Sequence, residues 1–378
     1  MDRLSPVKNL FKKQPVTMVS ALLAVASMFL VRPDKEYLGY VSYHTIGMLF
    51  ILMIIMDALS SYGIFRIIGE KILSKVHSTR LLALVLVFLC FFFAMFITND
   101  IALLTFVPFT VELLTMADRE EDMIPVIVLQ TIAANLGSML TPIGNPHNLY
   151  LYKLSDMGAM EFVGMMAPYS ILAGFLLAAG AFVFVKKAQV ENKTESKIVL
   201  EKKNGIRTIV YLLLFGLCVL EIFQVLEWYI VLIPVVIATL IMNPGLFKKV
   251  NYSLLLTFIC LFVFIGNMKR LDVVYDLISS RLAGHEFIVS LATSQLISNV
   301  PASLLLSGMS TEYAPIIIGT DFGGLGTLIA SMASLISFKL YGDRPGSNKG
   351  KYILTFSGYS IVFLIFLVGL YVILGNHL

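Results

Sequence analysis

Asp100 is the sharpest chemical signal in the chain. It follows Thr98-Asn99 between two long apolar arms, 81–97 and 101–116. A carboxylate placed between such arms is costly and marks a functional position by default. It could carry or balance a coupling charge, a proton or a sodium ion, or it could cap the helix that starts at Ile101. Asp321, near a second interruption, has the same two readings. Asn99 and Asn299 stand at the tips of two apolar pairs, where an amide can cap a free helix end and bind a solute or ion at once. The stretch Thr141-Pro142-Ile143-Gly144-Asn145-Pro146-His147-Asn148 puts two prolines and a glycine inside an apolar run, which breaks a helix. It offers Asn145, Asn148 and His147 as polar groups; the histidine is a candidate proton carrier, although a lone histidine is more often structural. Asp57 lies mid-span and is expected to pair with a polar neighbour in the bundle. Gly323-Gly324-Leu325-Gly326 lacks the strand and helix context of a nucleotide loop. No catalytic signature occurs in a plausible place, so the chain does not read as an enzyme.

The elements that position these residues are transmembrane helices. The chain has 378 residues, 58% hydrophobic and only 14% charged, with a mean hydropathy of +0.87. A soluble domain carries about 25% charged residues, and this composition cannot cover a water-facing surface. Its apolar stretches run unbroken, which selects helices over a barrel. The net charge of +4 comes from basic residues in short loops and does not point to nucleic acid. Cys90, Cys218 and Cys260 all lie in apolar segments, with neither disulfide nor zinc spacing. The basic start and apolar run of residues 1–31 resemble a signal peptide, but the many spans behind favour an uncleaved first span.

Hydropathy windows predict about nine spans plus two hairpins. Hairpins are expected at 81–116 and 286–309, broken helices at 123–154 and 314–340, and a polar linker at 187–206 separating 1–186 from 207–378. Lysines and arginines near the N-terminus, at Lys71, Lys75 and Arg80, in the linker, at Lys248-Lys249 and over 339–351 read as cytoplasmic. The N-terminus is then cytoplasmic and the C-terminus external, in a plasma or inner membrane. Lys269, Arg270 and Arg281 fall on the external side against the rule, in a segment that reads as an interfacial amphipathic helix.

The two halves echo each other where their helices break. Ile97-Thr98-Asn99 matches Ile297-Ser298-Asn299, the segment from Glu70 matches that from Asp276, and Asn135-Leu136-Gly137 matches Asp321-Phe322-Gly323, at offsets of 200, 206 and 186 residues. By the charge argument the copies have opposite orientation. Inverted repeats with broken helices in corresponding positions are the signature of secondary transporters, with the binding site where the breaks meet. Helix N-termini there suit an anion. Unwound carbonyls and Asn, Ser or Thr oxygens suit a cation such as sodium.

These residues resemble the ion transporter superfamily, which includes arsenite permeases, NhaD-type sodium/proton antiporters, citrate-metal symporters and divalent anion/sodium symporters. Thr98-Asn99 and Ser298-Asn299 are similar to the first two positions of the Ser-Asn-Thr tips of the sodium-coupled carriers, and Asp100 and Val300 depart from the third. Asn99-Asp100 is similar to the Asn-Asp of the arsenite and NhaD branches, and Asn299-Val300-Pro301 to the Asn-x-Pro of the arsenite permeases. Asp321-Phe322-Gly323 with Thr327 resembles their second broken helix. Gly144-Asn145-Pro146-His147-Asn148 looks like the Gly-x-Pro-Pro-Asn loop of the divalent anion carriers, with His147 replacing the second proline. The resemblance implies an all-α membrane protein of two inverted repeats, each with a re-entrant hairpin and a broken helix, working as an elevator-like homodimer. The expected site is Thr98, Asn99, Asp100, Thr141, Gly144, Asn145, Asn148, Ser298, Asn299, Val300, Asp321, Gly323 and Thr327. Asp100, Asp321 and His147 are the candidates for coupling. No cofactor is expected beyond a coupling proton or a sodium ion near Asn99 and Asn299. The function this implies is secondary transport of a small anion or oxyanion resembling arsenite, sulfate or a carboxylate. A sodium/proton antiporter is the rival within transport, and an ion channel or membrane receptor the rival outside it.

Overall fold

The computed structural model describes residues 15–64, 67, 78–186, 202–223 and 225–375. In chain order its helices are α1 (Pro15–Leu30), α2 (Tyr37–Tyr40), α3 (Tyr43–Ser61), α4 (Thr79–Ile97), α5 (Asn99–Met116), α6 (Met123–Ser138), α7 (Pro146–Leu154), α8 (Ala159–Phe184), α9 (Lys202–Ile222), α10 (Trp228–Met242), α11 (Tyr252–Lys269), α12 (Asp272–Leu282), α13 (Glu286–Ile297), α14 (Asn299–Ser307), α15 (Tyr313–Phe322), α16 (Met332–Gly342) and α17 (Lys349–Ile373). Helix starts are cut where a polar side chain takes over a free backbone donor. Ser42 caps α3, Ser78 caps α4, Asn251 caps α11 and Asn348 caps α17. Among the described residues six helices are long and apolar enough to cross a bilayer: α3, α4, α8, α9, α11 and α17. Their outer faces carry exposed Phe, Ile and Leu side chains that suit lipid, such as Phe175, Ile365 and Leu354.

The helices pack as two groups. In the first, α1 and α11 run parallel and are pinned along their length by polar pairs. Thr17 meets Thr257 at 2.9 Å, and Asn267 donates to Ser27 at 2.9 Å. Beyond their ends Arg270 reaches Asp34 at 2.8 Å and Glu36 at 3.5 Å. The guanidinium holds the Asp34 carboxyl below its usual range. Arg270, one of the basic residues expected on the external side, is thus neutralised by the loop after α1. Beside this pair, α3 packs against α9 and α10; a His44–Glu221 contact joins α3 to α9, and Tyr211–Thr239 at 3.0 Å joins α9 to α10.

The second group is built on α6, in which every residue except Pro125 is buried. Around it stand α4, α5, α8, α16 and α17, with α13, α14 and α15 packed together alongside. The groups meet where α14 touches α11 and where α5 and α7 touch α3. The α4–α5 hairpin has its base at one end of this group: Arg80 donates to the Val185 carbonyl at 2.9 Å, and Arg344, before α17, reaches Glu120 at 3.2 Å. The α13–α14 hairpin has its base at the other end: Ser310 donates to Glu286 at 3.1 Å, and Glu286 and Glu312 line one cavity with Tyr371 and Leu374 at the end of α17. The two hairpins therefore point toward each other from opposite ends of a helix about 37 Å long.

Several expected boundaries move. Each hairpin is interrupted by one residue, not three, so Asn99 and Asp100 belong to α5. Asp321 lies inside α15, and the chain unwinds after Phe322. The helix α9 already includes Lys202 to Ile206, which were expected to belong to the linker. The rest of that linker, Lys71, Lys75 and the basic residues near the N-terminus lie outside the described residues.

The tight α4–α6 contact rests on Gly137, where a Cβ would stand 2.1 Å from the Phe91 carbonyl oxygen. Gly137→Ala should cost about 1–3 kcal/mol through forced separation of the two helices. Gly164→Ala, where a Cβ meets nothing within 4 Å, should be neutral or slightly stabilising. Thermal unfolding of the two variants in detergent checks the difference.

Candidate functional site

Each hairpin turns on one strained residue. Thr98 joins α4 to α5 with φ 72° and ψ 150°, and Ser298 joins α13 to α14 with φ 74° and ψ 151°. This region of backbone space belongs to glycine, and a side chain there costs about 1–3 kcal/mol. The asparagine that follows makes the turn tenable by satisfying a free donor of the new helix. Asn99 Oδ1 accepts the Asp100 N–H at 2.9 Å, and Asn299 Oδ1 accepts the Val300 N–H at 3.0 Å. The carbonyls of Thr98 and Ser298 each accept an N–H four residues on, from Ala102 and Ala302, both at 3.1 Å.

The first tip is tied to the first helix break. Asn99 N–H donates to the Gly144 carbonyl at 3.2 Å, and the Thr141 hydroxyl donates to the Met95 carbonyl. Gly144 has to be glycine, since a Cβ would lie 2.2 Å from the Ser138 carbonyl oxygen. In the second half the Thr327 hydroxyl donates to the Gln295 carbonyl at 3.4 Å. Met95 and Gln295 stand in the same place relative to their tips.

Asn135 crosses between the halves. Its Oδ1 receives Asn99 Nδ2 at 3.2 Å and the Ser331 hydroxyl at 3.0 Å, while its Nδ2 donates to Ser334 at 3.2 Å. A second crossing joins Asp321 to the start of α7. Asn148 Nδ2 reaches both Asp321 oxygens, at 3.1 and 3.0 Å, and His147 Nε2 lies 3.2 Å from Oδ1. Asn135, His147, Asn148 and Asp321 are all buried. The offset of 186 residues that carries Asn135 onto Asp321 also carries Asn148 onto Ser334, so Asn135–Ser334 and Asp321–Asn148 are counterpart contacts.

The second tip joins the same track. A Cβ on Gly324 would lie 3.1 Å from Asn299 Nδ2 and 3.8 Å from Ser331 Cβ. Asn99, Asn135 and Ser331 thus form a hydrogen-bonded polar path from the first tip, and Gly324 lies between its far end at Ser331 and Asn299 at the second tip. Along it begin α5, α7, α14 and α16, at Thr98, Asn145, Ser298 and Ser331. Beside the first tip, a cavity of about 150 Å³ is lined by Thr98, Asp100 and Asn145, with Asp57 of α3 and with Lys249 and Asn251 between α10 and α11. Lys249 donates to Ser61 at 2.7 Å and faces the cavity that Asp57 and Asp100 share.

The residues expected from sequence fall into three neighbouring clusters. Thr98, Asn99, Asp100, Thr141, Gly144 and Asn145 surround the first tip. Ser298, Asn299, Val300, Gly323 and Thr327 surround the second. Asp321, His147 and Asn148 form the buried crossing. Sequence reasoning left Asn135, Ser331, Ser334, Gln295 and Lys249 out of the set. Asn135 was visible as the partner of Asp321 in the echo between the halves; the serines and Gln295 carried no signal beyond polarity in apolar surroundings. Among the described residues no three of His, Cys, Asp or Glu gather as a metal cluster. The oxygens on offer are hydroxyls, amides, carbonyls and isolated carboxylates, which suit a hard monovalent cation.

If the tips store strain, Thr98→Gly and Ser298→Gly should each raise the stability of the protein by about 1 kcal/mol, after the entropy that glycine loses. Thermal unfolding in detergent reads this; a drop in stability would show that the hydroxyl side chains support the tips.

With this geometry in hand, comparison with known proteins identifies the relatives. A family model described as "Citrate transporter" matches residues 10–336. An uncharacterized transporter of Methanocaldococcus jannaschii is 35% identical over 336 residues, 88% of this chain and 90% of the relative. The inner membrane protein YbiR of Escherichia coli is 29% identical over 328 residues, 84% of this chain and 85% of the relative. A silicon efflux transporter of Oryza sativa subsp. japonica is 32% identical over 158 residues, 41% of this chain and 32% of the relative. A multi-pass helical chain matched over most of its length in this way belongs to the citrate transporter family CitMHS, a family of membrane transporters and not of enzymes.

Proposed function

We propose that this member of the family is a secondary active transporter of a small anion or oxyanion, driven by a proton or sodium gradient, with its site between the Thr98–Asp100 and Ser298–Val300 tips. One observation carries the reading: four helix N-termini begin along a single polar path between two strained tips. Each N-terminus directs partial positive charge toward the path, which favours an anion. The family description names citrate, and one relative is named for silicon efflux; both names direct the search to small oxygen-rich solutes.

We further infer that the halves are inverted repeats. The equal tip dihedrals and the counterpart crossings at Asn135–Ser334 and Asp321–Asn148 support a pseudo-twofold axis through the path. In this reading Asn99 and Asn299 orient the solute or a sodium ion. Asp100, at the cavity, and Asp321, beside His147, carry the coupling charge. Movement of the hairpin group against the α1–α3, α9–α11 group in an elevator-like dimer would expose the site alternately. The buried acids also favour a second reading, sodium/proton antiport without an anion.

Asn99→Ala and Asn299→Ala should each reduce uptake into proteoliposomes at least about a hundredfold while the protein still folds, because each removes the residue next to a strained tip. The screen uses citrate, silicic acid, sulfate, phosphate and arsenite, under sodium and pH gradients. Normal uptake by both variants would refute the site. Sodium-dependent proton flux with no solute present would select antiport.

A further inference from the structure

The two helix breaks are held in different ways, and the difference centres on Gln295. In the first half the tip bonds directly to the break through Asn99 N–H and the Gly144 carbonyl. In the second half the side chain of Gln295, three residues before Ser298, holds the break. Its Nε2 donates to the Gly323 and Leu325 carbonyls, both at 2.8 Å, and its Oε1 accepts the Thr327 N–H at 3.0 Å. The amide therefore satisfies three backbone groups of a segment that has left the helix. Gly326 completes the fit: its φ is +105°, and a Cβ there would stand 2.4 Å from Gln295 Oε1. The equivalent position in the first half is Met95, which can do none of this.

We infer that Gln295 is a positioning residue for the second half of the proposed site, resting on the transport reading above. By engaging the Gly323 and Leu325 carbonyls and the Thr327 N–H, it fixes the unwound chain so that Gly324 lies against Asn299. The affinity of the second tip for a hard cation or solute then depends on an amide that touches neither. This makes the halves unequal. The first break is tied to its tip by a backbone bond and the Thr141 hydroxyl, whereas the second depends in addition on one amide side chain whose rotation would free three backbone groups.

Two variants test this in the full-length protein. Gln295→Met installs the residue that the first half uses. Gln295→Glu keeps the shape and an acceptor for Thr327 but sets a carboxylate against two carbonyls. Hydrogen exchange should quicken about tenfold in 323–327 and stay unchanged in 141–146. In proteoliposomes driven by a sodium or a pH gradient, with citrate and silicic acid as probes, the apparent KM for the driving ion should rise about fivefold or more, with Vmax within about twofold. Unchanged exchange in 323–327, faster exchange everywhere, or a fall in Vmax alone would overturn the role of Gln295 and leave the transport reading intact. A wild-type protein that answers to neither gradient with either probe would overturn that reading and this one with it.

Discussion

A chain that reverses direction in the buried interior of a helix bundle must satisfy its own backbone, because no bulk water is there to do it. The two hairpins meet this constraint in the same way. One residue adopts a glycine-like conformation, and the next, an asparagine, closes the first turn of the new helix with its side chain. Everything else at the centre of the molecule follows from these reversals. They bring helix starts to the middle of the bundle, where free N–H groups and their dipoles would otherwise be unpaired. The strain they store persists only because the surrounding helices over-determine it, chiefly the buried α6 and the close approach at Gly137.

The helix breaks are coupled through polar contacts between the halves. Asn135 serves the first tip and the start of α16, while Asp321 serves the start of α7. Neither half could keep its polar centre satisfied alone. The contacts between the two helix groups are sparser: apolar surfaces, a buried hydrogen bond from the Tyr152 hydroxyl to the Ile222 carbonyl at 2.7 Å, and a cavity lined by Asp57, Lys249 and Asp100. The charges on its walls would sense whether Asp100 is neutralised, which links the proposed movement to the coupling ion.

The helices and hairpins were legible in the sequence because unbroken apolar runs have few alternatives and polar residues inside them stand out. The resemblance pointed to the right superfamily, but Asn99-Asp100 and Asn299-Val300-Pro301, which are similar to the arsenite and NhaD branches, did not single out the citrate transporter family within it. What could not be read was which residue unwinds. Thr98-Asn99-Asp100 and Ser298-Asn299-Val300 suggest three-residue breaks, yet the Asn99 and Asn299 side chains hold all but one residue of each helical. Asp321 looked like part of a break because its partners, His147 and Asn148, lie far away in sequence. Gln295 was invisible for the same reason: its role exists only once residues 323–327 fold back on it.

The central claim is that two opposed hairpins share one site, and the most direct test is the side of the membrane on which each hairpin base lies. Glu121 and Glu312 are exposed at the two bases. With Cys90, Cys218 and Cys260 replaced by alanine, single cysteines at these positions can be labelled by a membrane-impermeant maleimide in sealed vesicles of known orientation. The account predicts labelling of Glu121→Cys from one side only and of Glu312→Cys from the other side only. Labelling of both from the same side would contradict it.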